Sequence, residues 1–571
     1  MFRRTALGVI LLMLFTLAGA AQTAGSPTGS NVQIFTTNPS AQAVPARSQP
    51  ASDLAAADQL FAVHKLPEAA ARYAATVRTD PKSIPAQIGL VRSNLVMRKL
   101  DEALAAAKSA LAVTPNSAQL LATLGDVQYR MGMLPEAERS YIKAENANAN
   151  SPESYLGLAA VYRAYSLDRR AYECMKRAHQ VAPDNIPVQL MWVQSLPAKD
   201  QIPELESYLR SPGINPRVAG ILQQYLTRMK NTAAIPQHAC RLVSNVRQTD
   251  TKLYPIARGQ TSLAASGVAV KINKQDMRLA LDTGASGILL GRTSAEKLGL
   301  ERLGFQPIVG MGDSGAQGGY VAVADRIRVG DLEFQDCMVK VTEAATPVTG
   351  QDGLIGTDVF NSYLIDIDIP SAKLRLSPLP KRPNQAEEPA ALNTTSAAAS
   401  GDVRAGADSQ ATVGATDLPT DAYVAPEMAN WSKAYRMGSL LLIPTKVDDV
   451  GPLLFLLDTG SFSNILSPRA AAQVTQIRSD PNTHVKGLGG DVSKIYRADQ
   501  ATLAFGRYEQ EAEGVVTFDL SAISQRTGTE VSGILGFAML RILQTKIDYR
   551  DGLVDFVYDP SHLPKHVRIL K

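Results

Sequence analysis

Two hydrophobic rhythms divide the chain. In the second half an apolar run, a short polar turn and another apolar run recur in one frame: Val268-Ala269-Val270-Lys271-Ile272, Asn273 to Asp276 and Met277 to Leu281, then Leu440 to Ile443, Asp448 to Gly451 and Leu453 to Leu457. Apolar runs of strand length around turn residues predict β-hairpins. About 75 residues further on, each copy has two apolar residues and a glycine, Leu354-Ile355-Gly356 and Ile534-Leu535-Gly536. Between these marks lie a glycine-rich turn, Val309-Gly310-Met311-Gly312 or Lys486-Gly487-Leu488-Gly489, and a strand with a tight turn at Val329-Gly330-Asp331 or Phe505-Gly506-Arg507. The repeated unit is therefore a whole all-β domain, predicted over 253–376 and again over 422–560.

The first half keeps a different period. Leu66-Pro67-Glu68-Ala69, Leu100-Asp101-Glu102-Ala103 and Leu134-Pro135-Glu136-Ala137 stand 34 residues apart, and Asp168-Arg169-Arg170-Ala171 continues the register. Pro81, Pro115 and Pro183 fall on a second set of marks with the same period. Such a period, with Ala at one fixed position and Pro at another, resembles tetratricopeptide repeats, helix pairs that stack into a solenoid. It implies an all-α TPR-like region over 53–231. Ala69, Ala103, Ala137 and Ala171 let paired helices approach, and Tyr73, Tyr141, Leu90, Leu124 and Leu158 fill the gaps. From Asn185 to about Asn231 the pattern is interrupted by Pro197, Pro203, Pro212 and Pro216, which predicts degenerate or capping helices.

Each apolar strand of the β repeat runs into an Asp-Thr-Gly: Leu281-Asp282-Thr283-Gly284-Ala285-Ser286 and Leu457-Asp458-Thr459-Gly460-Ser461-Phe462. A chain of this length holds on the order of a tenth of one such tripeptide by chance. The motif, the glycine turn and the later apolar-apolar-Gly together resemble the retropepsin-like aspartic proteases, small all-β domains that pair to build one active site. The fold class is then multidomain: a TPR-like solenoid followed by two retropepsin-like acid protease domains.

The resemblance implies that Asp282 and Asp458 are the catalytic carboxylates. Thr283 and Thr459 would tie the two loops together beneath them, and Gly284 and Gly460 would admit the close turn. It also makes the turns at Gly310, Met311 and Gly312 and at Gly487, Leu488 and Gly489 flaps over an extended peptide, which binds as an added strand. Ala285 follows the viral-type pattern, Ser461 is placed to hydrogen-bond the outer oxygen of its carboxylate, and Phe462 stands where small residues are usual. Two adjacent carboxyls sharing one proton supply both the base that activates water and the acid that protonates the leaving amine, without metal or cofactor. One carboxyl cannot do both. Pairing of the two domains within one chain is expected, since a tether keeps their local concentration at roughly millimolar. The function expected is thus an aspartic endopeptidase acting on a peptide or protein substrate, its repeats recruiting a protein partner. The alternatives are a non-catalytic peptide-binding or assembly protein, and a protease processed through its own linker. The repeats contain no candidate catalytic pair, so short-peptide cleavage is expected not to need them.

Other signals narrow the reading. Residues 1–20 carry Arg3 and Arg4, an apolar core and Ala18-Gly19-Ala20, the pattern of a signal peptide, so the protein is expected to be exported, periplasmic or secreted. No later stretch has the length of a membrane span. With 58 basic and 54 acidic residues, the formal charge of +4 leaves no nucleic-acid footprint. Residues 21–52 and 377–421 are Ala-, Ser-, Thr- and Pro-rich and read as disordered linkers. Cys174, Cys240 and Cys337 lie far apart without metal-ligand spacing and are expected as buried thiols. Gly310-Met311-Gly312-Asp313-Ser314-Gly315 fits both a nucleotide-binding pattern and a serine-nucleophile loop, but the second copy keeps neither and strands follow both. Val268-Ala269-Val270-Lys271 lacks the other kinase motifs. His562 and His566 flank Pro564, which breaks a helical ligand pair.

Overall fold

The computed structural model describes residues 50–562, apart from 212–213, 215, 235–237, 239, 259–261, 345–349, 384–391 and 393–419, together with 567–569. The signal-like segment, most of both linkers and His566 fall outside these. The chain forms two compact units that divide inside the helical region: one runs through Met131 and includes Pro135–Ser154, the other holds Gly132–Leu134 and everything from Tyr155 onward.

In the first unit the 34-residue period becomes helix pairs: Pro50–Ala62 with Leu66–Thr79, Ile84–Val96 with Leu100–Val113, and Ala118–Arg130 followed by Leu134–Ala147. Ala69, Ala103 and Ala137 are completely buried. A methyl is all that fits where two helices meet. The Tyr73 ring lies so close to Gly89 that a Cβ there would overlap it, and Tyr141 covers Gly125 in the same manner. Both hydroxyls then find a carboxylate at matching repeat positions, Tyr73 donating to Asp58 at 2.7 Å and Tyr141 to Asp126 at 2.9 Å.

The helices go on with Pro152–Ala164, which enters the second unit at Tyr155, and then with Asp168–Val181, Ile186–Ser195, Ala198–Leu209 and Pro216–Ala233. Ala171 is again buried. Pro203 does not interrupt the path as expected but lies inside Ala198–Leu209, which forgoes one backbone donor there.

Both β domains follow one plan. Hairpin Ser262–Ile272 with Gln275–Asp282 delivers Asp282, and hairpin Leu440–Val447 with Val450–Leu457 delivers Asp458. Each second strand is paired in parallel with the apolar-apolar-Gly strand, Asp282 opposite Gly356 and Leu457 opposite Leu535. Long hairpins, Gly319–Val329 with Leu332–Thr342 and Ile495–Phe505 with Tyr508–Phe518, wrap each domain. The domains join through a shared antiparallel sheet in which Tyr363–Asp368 pairs with Leu543–Asp548, Ile365 opposite Ile547. Beyond these lie Lys373–Pro378 and Thr249–Arg258 on one side, Leu553–Tyr558 and Ser432–Lys433 on the other. One apolar core runs through both domains, from Leu279, Val339 and Phe360 to Leu457, Phe505 and Leu540.

Ordered structure reaches further than the sequence boundaries. Strand Thr249–Arg258 begins before the domain boundary expected at 253, and Lys373–Pro378 runs past residue 376, because the joining sheet recruits both. Arg382, in the Pro-rich segment beyond, is buried in an ion pair with Asp551. The cysteine expectation is also corrected. Cys240 and Cys337 form a disulfide, their Cα atoms 4.3 Å apart, and only Cys174 stands outside it. Strand Arg241–Leu242 pairs with Phe334 and Gln335 and so brings together two cysteines 97 residues apart; spacing alone gives no hint of such a contact.

Candidate active site

The two Asp-Thr-Gly loops meet at the junction of the domains. Thr283 N–H donates to Thr459 Oγ1 at 3.0 Å and Thr459 N–H to Thr283 Oγ1 at 2.9 Å. Each hydroxyl then donates across to the other strand, Thr283 to the carbonyl of Leu457 at 2.8 Å and Thr459 to that of Leu281 at 3.0 Å. All four bonds are buried, where an unsatisfied partner costs about 1–3 kcal/mol. Serine lacks the methyl that fills this space, and valine lacks the hydroxyl.

Above this grip the carboxyls of Asp282 and Asp458 lie close enough to act on each other's protonation. Gly284 N–H donates to Asp282 Oδ1 at 2.8 Å, while Gly460 and Ser461 N–H donate to Asp458 Oδ1 at 2.9 and 3.0 Å. Each loop also makes room for the other's acid: a Cβ on Gly284 would lie 2.6 Å from Asp458 Cγ, and one on Gly460 would lie 2.5 Å from Asp282 Cγ. Burial raises both carboxyls above the ordinary range, and the charge of Asp282 drives Asp458 well above it, with the backbone donors pulling the other way. Two acids so placed cannot both ionise readily, so the pair holds one proton and titrates as a unit; the aspartic-protease dyad is a known instance of this behaviour.

The Ser461 hydroxyl does not bond the carboxylate as expected. It donates to the Ser463 carbonyl at 3.1 Å, and the residue serves Asp458 through its backbone N–H. Phe462 is 38% exposed beside the buried dyad loop. Behind the loops the copies are bonded differently: Asp358 accepts from Gly287 N–H at 2.9 Å in the first, and Asn464 accepts from Gly536 N–H at 2.9 Å in the second. Lys340, also buried, donates to the Ser286 carbonyl and hydroxyl at 3.3 and 3.2 Å. Val516 holds the matching register in the second domain, so the asymmetry lies in strands far from either motif and has no local sequence signal.

The glycine turns face each other. Gly489 N–H donates to the Met311 carbonyl at 2.7 Å, Ser314 N–H to the Gly489 carbonyl at 2.6 Å and Ser493 N–H to Asp313 Oδ2 at 2.7 Å. A Cβ on Gly310 would meet Leu488, and one on Gly487 would meet the Met311 carbonyl. Leu488 packs against an apolar cluster that holds Ala280 and Leu354, beside Ala285. Gly310, Met311, Gly312, Gly487, Leu488 and Gly489 are thus brought together as two touching turns. Among the described residues no group of His, Cys, Asp or Glu converges as a metal site would, and no helix is long and apolar enough to cross a membrane.

An aspartyl protease family model matches the chain twice, over residues 268–359 and 443–539. No curated protein matches. Among solved structures, a thermophilic TPR protein of Thermus thermophilus aligns at 18% identity with a TM-score of 0.27, covering 31% of this chain and 100% of that one. The two β domains are aspartyl-protease-like domains in tandem, and a region of stacked helix pairs precedes them.

Proposed function

We propose that the protein is an aspartic endopeptidase with one active site per chain. The observation that carries this reading is the pair of adjoining carboxyls, each held by the backbone of its own loop and seated against the glycine of the other. In the reaction, the ionised carboxylate takes a proton from a water while the water oxygen adds to the scissile carbonyl carbon, and the protonated carboxyl hydrogen-bonds the developing oxyanion. Collapse breaks the C–N bond, and the proton passes to the departing amine. The flap turns part to admit an extended peptide and close on its backbone. The repeats offer a surface for a protein partner. Export is part of the proposal, supported by the signal-like N-terminus and by a disulfide, which persists in oxidising compartments.

The test is the pH dependence of peptide turnover. Activity requires one proton on the pair, so the profile is a bell: it rises as the first carboxyl ionises and falls as the shared proton is lost. Because burial raises both acids, the falling limb lies above the ordinary Asp range near 3.9. A rate that keeps increasing well into alkaline pH would overturn the dyad mechanism. Gly284→Ala and Gly460→Ala, which push a methyl into the opposite carboxyl, are each expected to abolish turnover in a protein that still folds; wild-type rates in either would mean the loops are not seated this way.

A further inference from the structure

On the reading that Asp282 and Asp458 hydrolyse peptides, we propose that Asp168, Arg436 and Tyr549 are positioning residues for the Asp282 loop, making the helices of the second unit a working part of the active site. Thr357 directly follows Gly356, the residue registered opposite Asp282, and is completely buried. Its hydroxyl is 2.7 Å from the hydroxyl of Tyr549, which comes from the second β domain and is itself buried. The backbone at Tyr549 is held in turn, since Arg436 Nη1 donates to its carbonyl at 2.9 Å. The other terminal nitrogen of Arg436 reaches Asp168 Oδ2 at 3.3 Å, on helix Asp168–Val181. A continuous line of polar contacts therefore runs from the helices to the floor of one catalytic loop.

Three features give this line mechanical weight. The Asp168–Arg436 pair is mostly shielded, with side-chain exposures of 19% and 11%, so solvent competes little with it. The turn leading into the helix is docked independently: the Tyr165 and Tyr435 rings stack with centroids 5.3 Å apart, and Ala422 N–H donates to the Ser166 carbonyl at 2.9 Å. The line is also one-sided. By the internal repeat, Phe537 occupies the place of Thr357 and Ile369 that of Tyr549, and neither has a hydroxyl with which to build the same link under the Asp458 loop. On this proposal short-peptide cleavage depends on the helices of the second unit, against the expectation that it does not need the repeats.

The experiment uses the full-length protein and a short peptide that cannot span to the repeats. Asp168→Asn and Tyr549→Phe are each expected to lower kcat roughly 10- to 100-fold, the scale of a misplaced catalytic group, with KM nearly unchanged. The double variant is no worse than the more damaged single one, because both cut the same line. Arg436→Lys, which keeps the charge, retains more activity than Arg436→Met. Arg170→Ala, which removes an exposed ion pair with Asp421 at the same interface, leaves kcat alone. Unchanged kcat in the first two variants, or independent losses that multiply, would overturn the proposal. Hydrogen exchange at the Asp282–Gly287 amides gives a reading that does not need catalysis. Asp168→Asn accelerates it if the line holds the loop; unaltered exchange would overturn the inference. A wild type that cuts no peptide would instead remove the peptidase reading while this second measurement still decides the linkage.

Discussion

Asp282→Asn and Asp458→Asn are each expected to abolish peptide turnover, by a factor of at least about 10³, the scale of lost general acid and base catalysis. The double variant is no worse than either single one, since residues that act as a unit are not additive. An equimolar mixture of the single variants is expected to recover nothing. That result follows from the joining sheet and the shared core, which hold both loops together within one chain, and from the reciprocal threonine bonds that fix them at contact. Recovery on mixing would mean that loops pair between chains, and clear activity in one single variant would end the shared-dyad mechanism. Stability moves the opposite way. A carboxyl whose folded pKa is raised stabilises the fold most below its unfolded value, and that contribution is lost as pH rises through the raised one. At neutral pH the dead Asp458→Asn variant is therefore expected to melt higher than wild type; a lower melting point would show that the buried acid is not under strain.

The second large effect is on stability. Cys240→Ser, Cys337→Ser or reductant opens a loop closed over a separation of 97 residues, and the chain-entropy scale gives about 3–5 kcal/mol for its loss. For a body of this size the melting temperature of the β region is expected to fall by about 5–8 °C. The helical repeats of the first unit contain none of the three cysteines, so their transition should stay in place. Alkylation under denaturing conditions offers a direct count: one reactive thiol, Cys174, before reduction and three afterwards. Three thiols without reductant, and a melt indifferent to the substitutions, would contradict the disulfide.

How much of this was legible in the residues depended on whether a feature repeats. The 34-residue spacing of Ala69, Ala103, Ala137 and Ala171 identifies helix pairs because close helix contact needs a small residue at one position per repeat. The second Asp-Thr-Gly exposes the dyad because a lone carboxyl cannot be both acid and base. Local periodicity and a duplicated motif are properties of the chain alone, so both survive without coordinates. Cys240 and Cys337, by contrast, become neighbours only when a short strand pairs with a residue almost a hundred positions away. Arg382 and the end strands look like linker because polar, Pro-rich composition reports solubility, whereas their order comes from partners in the other domain. Ser461 reads as a side-chain ligand from its motif, yet its hydroxyl follows the nearer Ser463 carbonyl. The line through Asp168, Arg436, Tyr549 and Thr357 joins residues from the helices and both β domains and has no counterpart in the repeat. The helices, the hairpins and the paired Asp-Thr-Gly loops were thus readable from the residues, since these rest on short-range spacing. What holds those loops in place was settled by packing, because each supporting contact is made between residues whose proximity exists only after the whole chain has folded.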